Sequence, residues 1–214
     1  MSVKFWSFAA IVALAAYLIG SVSFAVIVSR VGAQDDVRRH GSGNAGMTNI
    51  LRNYGKKMAA FTALGDFGKG IVAVAVGRMI FTLAGITVLD GGYIAGFFVV
   101  LGHLFPLYFG FKGGKGVLTS LGVVLMLNWM VFILLVALLL PVVFIVKIVS
   151  LTVIIGYTLF PFFTLLLNYI EGQPLLFNFA FALLLTCLGA FMHRENIKRL
   201  LAGTEYRFGQ KKEG

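Results

Sequence analysis

The sequence predicts an all-α integral membrane protein with seven transmembrane helices, its N-terminus outside and its C-terminus cytoplasmic. Three observations lead there. Of 214 residues, 59% are hydrophobic and 12% charged, about half the charged share of a soluble domain, and the mean hydropathy is +0.95. Apolar runs near the length needed to cross a bilayer as helix, about 20 residues, recur along the chain. The 18 Lys and Arg, against 8 Asp and Glu, gather in a few segments between those runs. Length and pattern suit one polytopic membrane domain over 1–214 with a basic tail from about 203 to 214.

The first span runs from Phe5 to Ser29. A cleaved signal peptide is the competing assignment, since Ala13-Leu14-Ala15 resembles a small-residue cleavage site, but the apolar run continues to Val28 and only Lys4 precedes it. The second span covers about Met58 to Leu89, the third Tyr93 to Phe109, and the last Pro174 to Met192. Between Val117 and Ile170 the chain is apolar almost throughout. Lys147 is the single charge in that stretch, and Asn128-Trp129 is a polar-aromatic pair of the kind found at membrane boundaries. Cutting at both gives spans Val117–Leu127, Trp129–Val146 and Ile148–Tyr169.

Charge placement tests the cut. With seven spans, the loop from Arg30 to Lys57, the loop holding Lys112 and Lys115, the corner at Lys147 and the segment from Arg194 onward share one side. That side collects fifteen of the eighteen basic residues, as cytoplasmic segments do. Six spans would divide them almost evenly. The net charge of +10 therefore reads as a one-sided layer at a lipid bilayer and not as a nucleic-acid surface, for which no loop is large enough. The lone cysteine, Cys187 in LLLTCLGA, excludes a disulfide framework and a Cys-based metal cluster.

Three segments on the basic side carry phosphate-binding chemistry. The first is Arg38-Arg39-His40-Gly41-Ser42-Gly43-Asn44-Ala45-Gly46-Met47-Thr48-Asn49, followed by Arg52 and Lys56-Lys57. Glycines at this density let successive backbone N–H groups converge on an anion, and Ser42, Asn44, Thr48 and Asn49 add neutral donors. Gly41 to Gly46 formally matches G-x-G-x-x-G with Asp66 twenty residues on, but no strand precedes it and Asp66 falls inside a span. The second is Gly102-His103-Leu104-Phe105-Pro106 with Gly110-Phe111-Lys112-Gly113-Gly114-Lys115-Gly116. Two lysines around a glycine pair suit a dianion, although Gly116 stands where a Walker A loop needs Ser or Thr. The third is His193-Arg194-Glu195-Asn196-Ile197-Lys198-Arg199-Leu200, where His193, Asn196 and Leu200 share a helical face and Arg194 and Lys198 form a neighbouring stripe. Ser150, just after Lys147, lies on the same level. Plainer assignments exist for each: a basic loop at lipid head groups, a positive-inside anchor, an interface histidine and a helix N-cap.

GSGNAGMTN, GHLFPLYFGFKGGKGV and HRENIKRL, in this order and with the KIVSL corner between the last two, resemble the signature motifs of the bacterial acyl-phosphate-dependent glycerol-3-phosphate acyltransferases. The resemblance spans nearly the whole chain. It implies a seven-helix, multi-pass enzyme of the cell inner membrane, with its active site on the cytoplasmic face. Such an enzyme moves a fatty acyl group from acyl phosphate to the 1-hydroxyl of glycerol 3-phosphate, giving lysophosphatidic acid and phosphate. By the same resemblance Ser42, Lys115, His193 and Asn196 are catalytic. Gly41, Gly43, Asn44, Thr48, Arg52, Lys112, Gly113, Gly114 and Ser150 bind the phosphate-bearing substrates. No cofactor and no metal is expected, and an enzyme that produces acyl phosphate is an allowed partner.

The residues agree with that donor. Acyltransferases that use soluble thioester donors carry His-x-x-x-x-Asp, whereas His40 leads to Ala45, His103 to Tyr108 and His193 to Lys198. The rival class is a transporter for a phosphorylated or anionic solute, which needs polar groups through the membrane midplane. Its candidates are Asp66, Lys69 and Arg78; the first two are spaced to pair with each other, and Arg78 to snorkel outward.

Overall fold

In a computed structural model that describes residues 2–207, every regular element is helical. The chain divides between Leu127 and Asn128 into two compact units. The first holds α1 (Val3–Gly20), α2 (Phe24–Ala33), α3 (Met47–Tyr54), α4 (Lys56–Leu83), α5 (Gly91–Leu104) and α6 (Val117–Leu127); the second holds α7 (Trp129–Val146), α8 (Val149–Glu171), α9 (Leu175–Met192) and α10 (Arg194–Leu201). Among the described residues six stretches are long and apolar enough to cross a membrane: Val3–Ala33, Lys56–Leu83, Gly91–Phe109, Trp129–Val146, Val149–Glu171 and Leu175–Met192. The seventh apolar helix, α6, has 11 residues, about 17 Å of rise.

The helix boundaries inside the long apolar stretch follow from two residues. Asn128 ends α6 and caps α7, its Oδ1 accepting from the N–H groups of Met130 and Val131 at 3.0 and 3.1 Å, which satisfies donors a helix start leaves orphaned. Lys147 ends α7 in the left-handed conformation, with φ 59°. In the second unit α8 packs between α7 and α9, and α10 rests on α8 and α9.

In the first unit α4 is the axis, touching α1, α2, α3, α5 and α6. Small residues permit this crowding, as they do between membrane helices generally. A Cβ on Gly102 of α5 would run into the backbone of α1 at Tyr17 and Gly20.

The expected first span is not one continuous helix. The chain breaks at Ser21–Ser23, between α1 and α2. Ser21 Oγ donates back to Tyr17 O at 2.8 Å and accepts from Leu107 N at 3.1 Å, so its hydroxyl offers the backbone an alternative to helix. From α4, the Lys69 ammonium donates to Gly20 O at 3.1 Å and Val22 O at 2.7 Å, satisfying carbonyls that the break leaves open. Lys69 also pairs with Asp66 at 3.0 Å, as the i, i+3 spacing predicts. Arg78 departs from expectation: it does not simply reach outward, but pairs with Asp90 at 2.8 Å and donates to Met126 O at 2.7 Å.

Removing one partner of a buried ion pair leaves the other charge uncompensated. Lys69→Met should therefore cost about 3 kcal/mol of stability, measured by denaturant titration in detergent, and Asp66→Asn in the same chain should recover part of that loss.

Candidate active site

The loop from Val37 to Gly46 is built around one amide. Asn49, in the first turn of α3 and only 3% exposed, donates from Nδ2 to Val37 O, His40 O and Asn44 O at 3.1, 3.0 and 3.0 Å. Its Oδ1 accepts from Ser42 N at 3.3 Å and Asn53 Nδ2 at 2.9 Å. The loop thus closes over Asn49. Gly41 sits at φ +59°, and a Cβ there would collide with Asn49 Oδ1, so both backbone geometry and space require glycine. Asn49 is consequently not a phosphate donor, as its place in the motif suggests. Its polar atoms are spent on the loop itself.

A second layer ties this loop to its surroundings. Asp36 pairs with Arg38 through two bonds, at 2.9 and 2.7 Å, and with Arg30 at 3.0 Å. The hydrogen-bonded Arg38 guanidinium holds the Asp36 carboxyl well below the usual carboxylate range. Arg38 Nη1 reaches Phe109 O at 2.6 Å, fixing the start of the Lys112–Lys115 segment. Nearby, Tyr54 donates to Asp35 at 2.8 Å and His40 Nε2 lies 2.6 Å from the same oxygen. Burial, with the Asp35 carboxylate beside it, pushes the Tyr54 hydroxyl up to about 12.

The two glycine-rich segments meet in this unit. Ala45 N donates to Gly113 O at 3.3 Å. Gly113 N and Gly114 N donate in turn to Leu104 O and His103 O, each at 3.2 Å, where α5 ends. A Cβ on Gly114 would meet the His103 ring and Ala45 O. Gly41, Ser42 and Gly43 are exposed, Asn44, Gly113 and Lys115 are half-buried, and Lys112 is exposed. Thr48 and Arg52, four residues apart on α3, are both half-buried.

The second unit holds the remaining predicted residues. His193 joins α9 to α10 and is buried; its Nδ1 faces Gly189 O at 2.9 Å. A carbonyl only accepts, so Nδ1 carries a proton and donates it to Gly189 O. Asn196 is buried while Arg194 and Lys198 are exposed, matching the two faces read from spacing. Ser150 is not the cap of α8, whose N-cap is Ile148. Its hydroxyl donates to Glu205 Oε1 at 2.8 Å, the same oxygen that accepts from Asn196 Nδ2 at 2.7 Å, while Arg199 Nε donates to Oε2 at 2.7 Å. Burial opposes ionisation of Glu205, but the bonds from Asn196, Arg199 and Ser150 outweigh it and keep the carboxyl below its ordinary range.

Glu205 lies in what composition assigns to a basic tail, and its carboxylate is held by residues of α8 and α10; residues 208–214 lie outside the described residues. Sequence spacing missed Glu205, Asp36 and the organising role of Asn49. The available signals were an acid two residues before Arg38 and an acid six residues after Arg199. Among the described residues no group of three or more His, Cys, Asp and Glu side chains could hold a metal ion.

Asn49→Ala strips partners from three loop carbonyls at about 1 kcal/mol per lost bond. Limited proteolysis in detergent should show cleavage within 37–46 that the parent chain resists.

Over residues 10–203 the chain matches the glycerol-3-phosphate acyltransferase family. It is 44% identical over 203 residues to the glycerol-3-phosphate acyltransferase of Clostridioides difficile (strain 630), covering 95% of this chain and 97% of the relative. With that of Ralstonia pickettii (strain 12J) it shares 44% over 205 residues, 94% of this chain and 95% of the relative. The crystal structure of PlsY (YgiH), an integral membrane glycerol 3-phosphate acyltransferase in its glycerol 3-phosphate form, superposes with a TM-score of 0.81 at 35% identity, covering 94% of this chain and 96% of that one. Its lysophosphatidic acid form gives 0.79 at 34%, covering 94% and 95%. The chain belongs to the glycerol-3-phosphate acyltransferase family.

Proposed function

We propose that this chain transfers a fatty acyl group from acyl phosphate to the 1-hydroxyl of sn-glycerol 3-phosphate, the first step of phospholipid synthesis. It does so as a seven-span protein of the cell inner membrane, N-terminus outside, with its reacting groups at the cytoplasmic face. The observation that carries this reading is the Ala45–Gly113 hydrogen bond, which seats two glycine-rich, basic segments against each other as a chain handling phosphate groups requires. The glycerol 3-phosphate and lysophosphatidic acid forms of the related PlsY support the acceptor and the product.

Ser42, Asn44 and the backbone at Gly41 and Gly43, with Thr48 and Arg52 beside them, hold a substrate phosphate. Lys115, with Lys112, Gly113 and Gly114, neutralises a second phosphate charge. His193, through Nε2, and Asn196 orient the attacking hydroxyl, and Ser150 completes the donor set. The hydroxyl oxygen forms a bond to the acyl carbonyl carbon as the bond from that carbon to the phosphate oxygen breaks. Its proton leaves on the departing phosphate. Acyl phosphate is a mixed anhydride, so charge stabilisation on the developing oxyanion and leaving group suffices, with no acyl-enzyme. Asp66 with Lys69 and Arg78 with Asp90 are matched in internal pairs, which favours this reading over solute transport.

Ser42→Ala, Lys115→Ala and His193→Ala should each lower acyl transfer by about tenfold or more, at least about 1.4 kcal/mol of transition-state stabilisation, with unchanged elution in detergent. Near-parental rates would remove these residues from the site. Acyl label retained covalently on the denatured protein would contradict direct transfer.

A further inference from the structure

We propose that His103 is a positioning residue for Gly113–Lys115, with Asp66 fixing its ring; the proposal rests on the reading of Lys115 as a phosphate-binding group. His103 is buried at the end of α5. On one side, Nδ1 lies 3.5 Å from Asp66 Oδ1, the carboxylate oxygen that also pairs with Lys69. A ring nitrogen facing a carboxylate oxygen carries its proton there, since two lone pairs would otherwise oppose each other. On the other side, Nε2 faces Gly114, where a Cβ would run into it. The same residue's carbonyl accepts from Gly114 N at 3.2 Å. Ring and backbone of His103 therefore bear on one glycine, the neighbour of Lys115.

The acid behind the ring cannot drift. Asp66 Oδ1 is 3.0 Å from Lys69 Nζ, and that ammonium donates to Gly20 O and Val22 O. The ring's orientation is thus tied to the α1–α2 break, and the loop's position to the ring. A histidine that merely filled space would need no carboxylate at Nδ1, and phenylalanine would replace it. Substrate never has to touch His103 for this to matter: a shift of the loop by an ångström displaces the Lys115 ammonium, and misplacement on that scale costs catalysis heavily.

Two variants separate positioning from packing. His103→Asn keeps an amide near the Nδ1 position and removes the ring beneath Gly114; His103→Phe keeps the ring volume and removes both nitrogens. Hydrogen–deuterium exchange on the full chain in detergent should show amides of 112–116 exchanging about tenfold faster in each variant, with α4 as protected as in the parent. Unchanged exchange in the loop would overturn the proposal. So would loss of protection throughout the first unit in both variants, which would make His103 a general packing residue.

Kinetics supply the second arm. Each His103 variant should lower kcat/KM by about tenfold in the parent chain, yet by less than about twofold in the Lys115→Ala background, because a residue acting through Lys115 loses its effect when Lys115 is gone. Losses that multiply would overturn it. Full activity of Lys115→Ala would refute the phosphate-site reading and the catalytic consequence claimed for His103, while the exchange arm would still decide whether His103 holds the loop.

Discussion

A buried ammonium organises the first unit. Lys69 is 5% exposed in an apolar helix, where a charge is tolerated only if it is matched. Its partners are the Asp66 carboxylate and the carbonyls of Gly20 and Val22. The pair makes the break between α1 and α2 affordable, since carbonyls released from a helix inside an apolar environment need donors. The break in turn lets Ser21 reach Leu107, just ahead of the segment with Lys112 and Lys115. One electrostatic constraint deep in α4 thus bears on the placement of the loop between α5 and α6.

Polar side chains around the phosphate motifs fall into two groups by what they bond. Asn49, Asp36 and Arg38 hold backbone or one another, and they shape the loop. Ser42 and Lys112 are exposed, and Asn44 is half-buried. In the second unit Ser150, Asn196 and Arg199 already converge on an anion, the carboxylate of Glu205. That one carboxylate holds α8, α10 and the residue beyond α10 together.

Most of the helical architecture was legible because hydropathy and charge act locally. Asn128 and Lys147 divide the long apolar stretch where residue type alone indicates, and Asp66 with Lys69 pair as their spacing requires. The break at Ser21–Ser23 was not legible. It depends on a lysine 47 residues away from Val22, and an apolar run gives no sign of that. From its place among Ser42, Asn44 and Thr48, Asn49 reads as a ligand donor, and only tertiary geometry reveals that its amide is turned inward. Glu205 was assigned to the tail because a basic, polar composition hides one acid whose partners lie in α8 and α10.

Donor identity is tested most directly with the purified chain in detergent, supplied with glycerol 3-phosphate and, in separate reactions, acyl phosphate, acyl-CoA or acyl-loaded carrier protein. Direct transfer from acyl phosphate predicts one inorganic phosphate released per lysophosphatidic acid formed, and no product from either thioester. Product formed from a thioester donor, or lysophosphatidic acid formed without matching phosphate release, would contradict it.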